Sequence, residues 1–422
     1  MAKTFLDKDT GFLYKKRPGG KTLTIPLERD LVEPTYFTDE QLHAAKGDVV
    51  VFDLEIYPNY FLAAFKHYKT GLVATFELYH GTPVFDYQKL LWIMHNFCLV
   101  GFNSSKFDLP LIGLALQGGS IEQLEEATEK IIKFGAMPRD IEEFYKFKSG
   151  SYNHVDLIEV APLSASLKAY GGRLHAARLQ DLPYDPAKPI TPEEAHKVKL
   201  YCINDLDLTA LLLKELEPQL ELRASMSREY NIDLRSKSDA QIAEAVICSE
   251  LKRLSGYWPR RPKVSDDYKV KYIVPDFIKF DSPELKQIAE KLANAEFALD
   301  GLGSPMWPEG LGEKEKTKEG KDKWVLKTKI GNSIYKIGMG GLHSNEKNIA
   351  HFATEEIKLV DNDVESFYPK IILNQNLAPS HLEAHFIVVY NEIVQRRLEA
   401  KHRVKQIKKE LAALRKMLTE LP

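Results

Sequence analysis

Hydrophobic and polar positions alternate most sharply between Asp48 and Tyr57, where Asp-Val-Val-Val-Phe-Asp-Leu-Glu-Ile-Tyr predicts a strand. Pro58-Asn59 turns the chain into a second β-rich run, Tyr60 to Phe65, and a third follows around Leu72 to Phe76, so a meander opens a mixed sheet. A helix over Tyr87 to Asn96 leads to a short buried strand at Cys98 to Phe102, and further helices begin near Leu109 and Ile121. His154 to Val160 is another strand candidate. This alternation is α/β grammar. Thr191-Pro-Glu-Glu supplies an N-cap, a proline at the first helical position and early acids, starting a helix that runs to about Leu216.

Residues 217 to 258 are expected to be helical, with Ile242, Ala245, Val246 and Leu251 on one face. From 259 onward the pattern weakens. Pro259 to Pro262, and Pro308 to Lys323 with its run of Glu, Lys and Gly, read as solvated loops. Glycines 338, 340 and 341 precede a β-like segment, Ile357 to Asp361, before a long charged helix from about Leu382. The turn-rich stretch 1–46 reads as an irregular lead-in, and no internal repeat is found.

At 422 residues the length favours roughly three domains. Hydrophobic residues at 44% and charged residues at 28% exclude collagen-like and wholly disordered chains. The first residues lack a secretory apolar run and no stretch has the apolar length of a membrane span, so a cytoplasmic protein with no membrane partner is expected. Cys98, Cys202 and Cys248 lie far apart and form no CxxC pair, so they read as buried small hydrophobes. Lys plus Arg at 58 nearly cancel Asp plus Glu at 60, and only the C-terminal stretch, from Arg396 to Lys416, concentrates basic charge.

The candidate chemistry starts with Asp53-Leu-Glu55. Side chains at i and i+2 of a strand share a face, and two carboxylates that close repel unless a cation neutralises them. A lone D-x-E proves little, since Asp140/Glu142 and Asp363/Glu365 repeat it. Two further segments change the odds. Gly101-Phe-Asn103-Ser-Ser-Lys-Phe107-Asp108 puts an acid near the start of a helix, and Tyr201-Cys-Ile-Asn-Asp205 lies within a later one. On that helix Tyr201 and Asp205 are four apart and share a face, whereas Asp207 points roughly to the opposite side.

In order, spacing and placement these segments resemble the three exonuclease motifs of the DEDD superfamily, in the tyrosine subclass found in family B DNA polymerases. The resemblance implies a ribonuclease H-like 3′–5′ exonuclease domain with a mixed sheet and flanking helices over residues 47–215. It implies a cage of Asp53, Glu55, Asp108 and Asp205 for two Mg²⁺ or Mn²⁺ ions that activate a water and stabilise the leaving 3′ oxygen. Tyr201 would orient the attacking water. Asn103 and Phe107 would line a single-strand cleft, although Phe107 reads equally well as core.

Asp361-Asn-Asp363-Val-Glu-Ser366-Phe367-Tyr368-Pro369 resembles motif A of the same polymerases, with Phe367 where Leu is usual and Lys370 where Ser is usual. By that resemblance Asp363 would be a metal ligand, the Ser366 to Tyr368 backbone would face a triphosphate, and Tyr368 would exclude the ribose 2′-OH. Arg397-Leu-Glu-Ala-Lys401 is similar to the R-x-x-x-K of the fingers helix, and reads equally as a solvated basic face. The D-T-D and K-x-x-x-N-S-x-Y-G motifs of the family do not appear. The expected organisation is a lead-in at 1–46, the exonuclease domain at 47–215, a helical region and loop insertion at 216–330, the start of a palm at 331–381 and a basic helix opening the fingers at 382–422. The chain thus looks like the N-terminal portion of a phage-type family B polymerase used in DNA replication. Its partners would be single-stranded and primer-template DNA, and it would be either a truncation or one piece of a split enzyme that a second polypeptide completes. The alternatives are a free-standing DEDD nuclease and a non-catalytic DNA-binding or assembly fragment, whose apolar stripe Val404, Ile407, Leu411, Leu414 and Leu418 would face a partner helix.

Overall fold

The computed structural model describes residues 32–79, 85–265, 267–300, 303–317, 320, 322–330, 333–339, 341–344 and 348–419, together with the backbone of three short strands before them. Two compact units divide at 249/250.

In the first unit β1 (Thr4–Leu6), β2 (Leu13–Lys16) and β3 (Thr22–Ile25) form an antiparallel sheet inside the stretch expected to be irregular. Short alternations such as Thr22-Leu-Thr-Ile25 suffice for strands, and they were outweighed in the sequence by turn residues. After α1 (Asp39–Ala44) come β4 (Val49–Tyr57), β5 (Tyr60–His67) and β6 (Val73–Tyr79), the meander the alternation predicts. α2 (Tyr87–Asn96), β7 (Cys98–Gly101), α3 (Asp108–Leu116), α4 (Ile121–Phe134), α5 (Pro138–Tyr145) and β8 (His154–Asp156) follow. The strand expected over 154–160 stops at Asp156, because its side chain accepts from the Ile158 N–H and starts α6 (Leu157–Val160). Then come α7 (Leu167–Arg173), α8 (Pro192–Tyr230) and α9 (Asp239–Ser255), within which the division at 249/250 falls.

The result is an α/β unit built on a mixed five-stranded sheet in the order β6-β5-β4-β7-β8, antiparallel through β6, β5 and β4 and parallel through β4, β7 and β8. The period of two along β4 sorts its side chains. Val50, Phe52, Leu54 and Ile56 enter one core with residues of α2, α3 and α4, where Phe52 stacks on Phe65 at 5.7 Å. Each such buried side chain stabilises the unit by roughly 1.5–3 kcal/mol. Val51 and Tyr57 enter the opposite core with Val198, Cys202 and Leu206 of α8. Asp53 and Glu55 therefore project toward α8, between apolar neighbours.

α8 starts as the sequence predicts. Thr191 accepts from the Glu194 N–H while the Glu194 carboxylate accepts from the Thr191 N–H, and Pro192 takes the first helical position. It passes through Pro218 and closes at Asn231 in left-handed conformation, so it runs past Leu216 to Tyr230.

The second unit holds the antiparallel pair β9 (Lys269–Lys271) and β10 (Glu296–Ala298), linked through α10 (Pro283–Asn294). A four-stranded meander follows, β11 (Glu313–Lys316), β12 (Asp322–Ile330), β13 (Ser333–Gly338) and β14 (Gly341–Ser344). The first two strands overturn the loop expected over 308–323. Their charges pair across the sheet, Lys314 with Asp322 and Lys327 with Glu315, so a charge run that reads as solvated is also a strand register. Gly312 sits where a Cβ would lie 2.3 Å from the Val325 carbonyl oxygen, which only glycine permits. The glycine turn lies between β13 and β14, with Gly338 opposite Gly341, while Gly340 falls outside the described residues. The β-like segment Ile357 to Asp361 is not a strand. Ile357, Leu359 and Val360 are exposed, and among the described residues no strand pairs with them, so β propensity has nothing to act against. α11 (Phe367–Asn374) and α12 (Glu383–Thr419) complete the unit. No described helix is long and apolar enough to cross a membrane.

Candidate functional site

The carboxylates expected to act together come from three separate elements of the first unit. β4 supplies Asp53 and Glu55, the start of α3 supplies Asp108, and α8 supplies Asp205 with Tyr201 one turn before it. β7 pairs with β4 only as far as Val51 opposite Val100, so the two acids of β4 lie just beyond the end of that ladder, where the loop 102–107 swings toward α3. The site thus occupies the crevice at the carboxyl ends of the parallel strands.

Burial and mutual repulsion govern its electrostatics. Burial first, then the charge of Asp205, pushes the Asp53 carboxyl up to about 7, against the pull of the Leu54 N–H, Asp108 and Lys168. Burial and the neighbouring Asp53 and Asp205 hold Glu55 well above the carboxylate range. Burial, then Asp53 and Asp156, do the same to Asp108. Burial raises Asp205 as well, opposed by the Tyr201 hydroxyl and by Lys168. Tyr201 is raised by burial and by Asp205, so its hydroxyl keeps its proton. Asp108 and Asp205 are 2% and 5% exposed, and each has one carboxylate oxygen, Oδ1, without a hydrogen-bond partner. Buried lone pairs of this kind ask for a cation.

No family model, curated protein or solved structure matches this chain. The reading of the site therefore rests on its own chemistry.

Hard oxygen donors that repel one another, two of them with a buried unpartnered oxygen, fit Mg²⁺ or Mn²⁺. Cys202 lies in the same cluster, its Sγ among ligand atoms of Asp53 and Glu55 that fall within 4.8 Å of one another. Burial and the surrounding carboxylates hold its thiol well above the usual range, and it approaches the Asp53 carbonyl oxygen at 3.9 Å. It serves as a protonated, buried neighbour. The expectation of burial holds for Cys202, whereas Cys98 and Cys248 are half-buried.

Asp207 is turned away, exposed and paired with Lys66, as the helical register requires. Asp140 and Glu142 fall on the helix α5, where i and i+2 do not share a face. Asn103 is half-buried with φ 61°, and Phe107 is half-buried at the N-cap of α3, packed against the core of the α2–α4 face.

Sequence reasoning missed Lys168. From α7 its Nζ lies 4.9 Å from the centroid of the Tyr201 ring, and its charge acts on Asp53, Glu55 and Asp205. No spacing signal marks it, since only the packing of α7 on α8 brings it there. Asp156, at the end of β8, was also missed; it is 1% exposed and accepts from the backbone N–H of Asn103 and of Ser105, each at 2.8 Å.

The residues expected around motif A lie in the second unit. Asp363 is exposed in irregular chain, Ser366 takes φ 54° at the N-cap of α11, and Phe367 and Tyr368 are exposed. α12 faces this turn with both expected cations: Arg397 Nη1 donates to Ser366 Oγ at 3.0 Å, and Lys401 Nζ to Glu365 Oε1 at 3.0 Å. Among the described residues, Asp363 is not in a cluster of three metal-ligating groups, in contrast to Asp53 and Glu55.

Proposed function

We propose that the first unit is a ribonuclease H-like 3′–5′ exonuclease acting on single-stranded DNA ends, and that the chain is the N-terminal part of a family B DNA polymerase. The observation that carries the exonuclease reading is that Asp53, Glu55, Asp108 and Asp205, from three elements, are near enough for the charge of one to raise another's pKa, with an unpartnered oxygen on each of Asp108 and Asp205. These residues would hold two divalent ions, which when bound supply charge stabilisation at the phosphodiester and ease deprotonation of water. The chain's own groups do the rest. Tyr201 keeps its proton and donates it to the Asp205 carboxylate, so its hydroxyl oxygen is left to accept a hydrogen bond from the attacking water and orient it. Lys168, beside the same ring, supplies a positive charge for a phosphate oxygen. Asn103, half-buried on the loop before Asp108, would touch the terminal nucleotides, and Phe107, half-buried against the core, would border them.

The polymerase half rests on the motif A turn and its two cations. Arg397 and Lys401, one helical turn apart on α12, reach the motif A turn at Ser366 and at Glu365 just before it. A single Asp363 cannot hold two ions for in-line phosphoryl transfer, so synthesis requires residues this chain does not supply. The exposed stripe Val404, Ile407, Leu411, Leu414 and Leu418 is an apolar face on which the remaining polymerase part would pack.

The test is a 5′-labelled single-stranded oligonucleotide incubated with the purified chain. Stepwise shortening from the 3′ end in Mg²⁺ or Mn²⁺, lost in EDTA, is expected, while primer extension is not. Primer extension by this chain alone that Asp363→Ala abolishes would overturn the argument that the polymerase site is incomplete.

A further inference from the structure

Asp156 is a charged group at 1% exposure that the mechanism above leaves without a role. Its partners are backbone amides. Oδ1 accepts from the Asn103 N–H at 2.8 Å and from the Ile158 N–H at 3.3 Å, and Oδ2 accepts from the Ser105 N–H at 2.8 Å. Two of these bonds clasp a turn in which Asn103 holds φ 61°, the left-handed region that asparagine enters more readily than other L residues. The turn leads directly into Asp108.

The rest of the neighbourhood serves the same turn. A Cβ on Gly101 would lie 2.3 Å from Ser104 Oγ and 2.5 Å from Ser104 Cβ, so the loop folds back onto the end of β7 only because residue 101 is glycine. Ser104 Oγ meets His154 Nε2 at 2.8 Å. The Asp156 N–H donates to Ser236 Oγ at 2.9 Å, and that hydroxyl donates to the His154 carbonyl at 3.3 Å, which ties the end of β8 to the segment after α8. The anchors of Gly101 to Ser105 thus end on β7 or β8, and the turn they hold carries Asn103 and leads into Asp108 at the start of α3.

We propose that Asp156 is a positioning residue whose carboxylate, by clasping the Asn103 and Ser105 amides, sets where Asn103 meets the 3′ strand and where Asp108 enters the carboxylate cluster. This rests on the exonuclease reading of that cluster. Asp156 touches neither substrate nor ion. An amide in its place keeps the shape and one acceptor oxygen but presents NH₂ to an amide N–H, so one of the two clasping bonds is lost and the turn relaxes.

The experiment compares the full chain with Asp156→Asn and, as a second route to the same loop, Gly101→Ala. Three quantities are read: Mn²⁺ affinity by calorimetry, affinity for oligo(dT) by fluorescence anisotropy in Ca²⁺, and kcat and KM for 3′ degradation in Mg²⁺. Asp156→Asn should weaken Mn²⁺ binding about tenfold and lower kcat by about 10- to 100-fold, the range seen when a group orienting a metal ligand is removed. KM and the oligo(dT) dissociation constant should rise several-fold, because Asn103 moves as well. Gly101→Ala should reproduce the pattern with Asp156 intact. If Asp156→Asn lowers the melting temperature while the folded protein keeps wild-type Mn²⁺ affinity, KM and kcat, the residue is merely structural and the proposal falls. If it does not fold, Gly101→Ala decides: unchanged Mn²⁺ and oligo(dT) affinity overturns the proposal. Failure of the wild type to degrade DNA while it still binds Mn²⁺ refutes the exonuclease reading, and the variants' Mn²⁺ affinity then still tests the clasp on Asp108. Absence of Mn²⁺ binding in the wild type refutes both.

Discussion

The two units treat the same sequence pattern in opposite ways. Asp53-Leu-Glu55 sits on a central strand, covered by α8, with two more acids delivered from α3 and α8. Asp363-Val-Glu365 has the same spacing, yet Asp363 is exposed and Glu365 is taken up by Lys401. A carboxylate pair therefore means little by itself. What makes a site is the enclosure that raises the energy of each charge until a cation is needed, and in this chain only the first unit provides it among the described residues.

The sharpest way to break that contrast is to remove acids from each unit in turn. Asp53→Ala with Glu55→Ala should abolish 3′ degradation, a loss of at least about a thousandfold, because two of the four carboxylates are gone. The metal-free variant should melt no lower than the wild type, since it relieves repulsion among buried acids. Asp363→Ala should leave degradation untouched. Retention of most activity by the double variant, or its loss in Asp363→Ala, would put the nuclease in the wrong place.

Next comes the helix register. Asp205→Asn should lower kcat by two or more orders of magnitude, whereas Asp207→Asn, on the exposed side with Lys66, should change it less than threefold. The reverse ranking would mean that α8 presents its other face to β4.

Much of this was legible in the sequence, and the physical reason is periodicity. A period of two fixes which side of β4 carries Asp53 and Glu55, and a spacing of four from Tyr201 singles out Asp205 over Asp207. Thr191-Pro-Glu-Glu marked the start of α8 because capping is local chemistry. Lys168 and Asp156 were not legible, as each earns its place through tertiary packing: α7 against α8, and the end of β8 against the loop after β7. The same gap misled the reading of the second unit. Ile357 to Asp361 has strand residues without a pairing strand, and Glu313 to Lys316 has loop-like charges with one.

His154 separates the units by pH. It is packed against Phe52 and Ser104, and burial, assisted by Arg235 and opposed by Asp156 and Asp233, lowers it to about 4. The unfolded chain, with an ordinary histidine near 6.5, then binds the extra proton first, so stability is lost as pH falls from about 6.5 to about 4. The integral over that window is about 3 kcal/mol. The raised carboxyls of Asp53, Glu55, Asp108 and Asp205 add stability over the same window, so the His154 loss is read as the difference between wild type and His154→Gln in chemical denaturation at pH 7 and pH 4.5. An identical pH dependence in that variant would show that His154 contributes nothing.

The smallest expected effect on the site is that of Tyr201→Phe. The ring remains, so the contact with Lys168 and the packing against α7 remain. Only the hydroxyl goes, and with it one hydrogen bond to the water and the partial relief it gives Asp205. All four carboxylates stay in place, so metal affinity should change little, while kcat should fall about tenfold, equivalent to about 1.4 kcal/mol of transition-state stabilisation. The measurement that decides is the pair of kcat and Mn²⁺ affinity on the same preparation. If Tyr201→Phe weakens Mn²⁺ binding as strongly as Asp205→Asn does, the tyrosine is acting through the cage, and the distinction drawn between residues that hold the ions and residues that orient the water does not apply to this site.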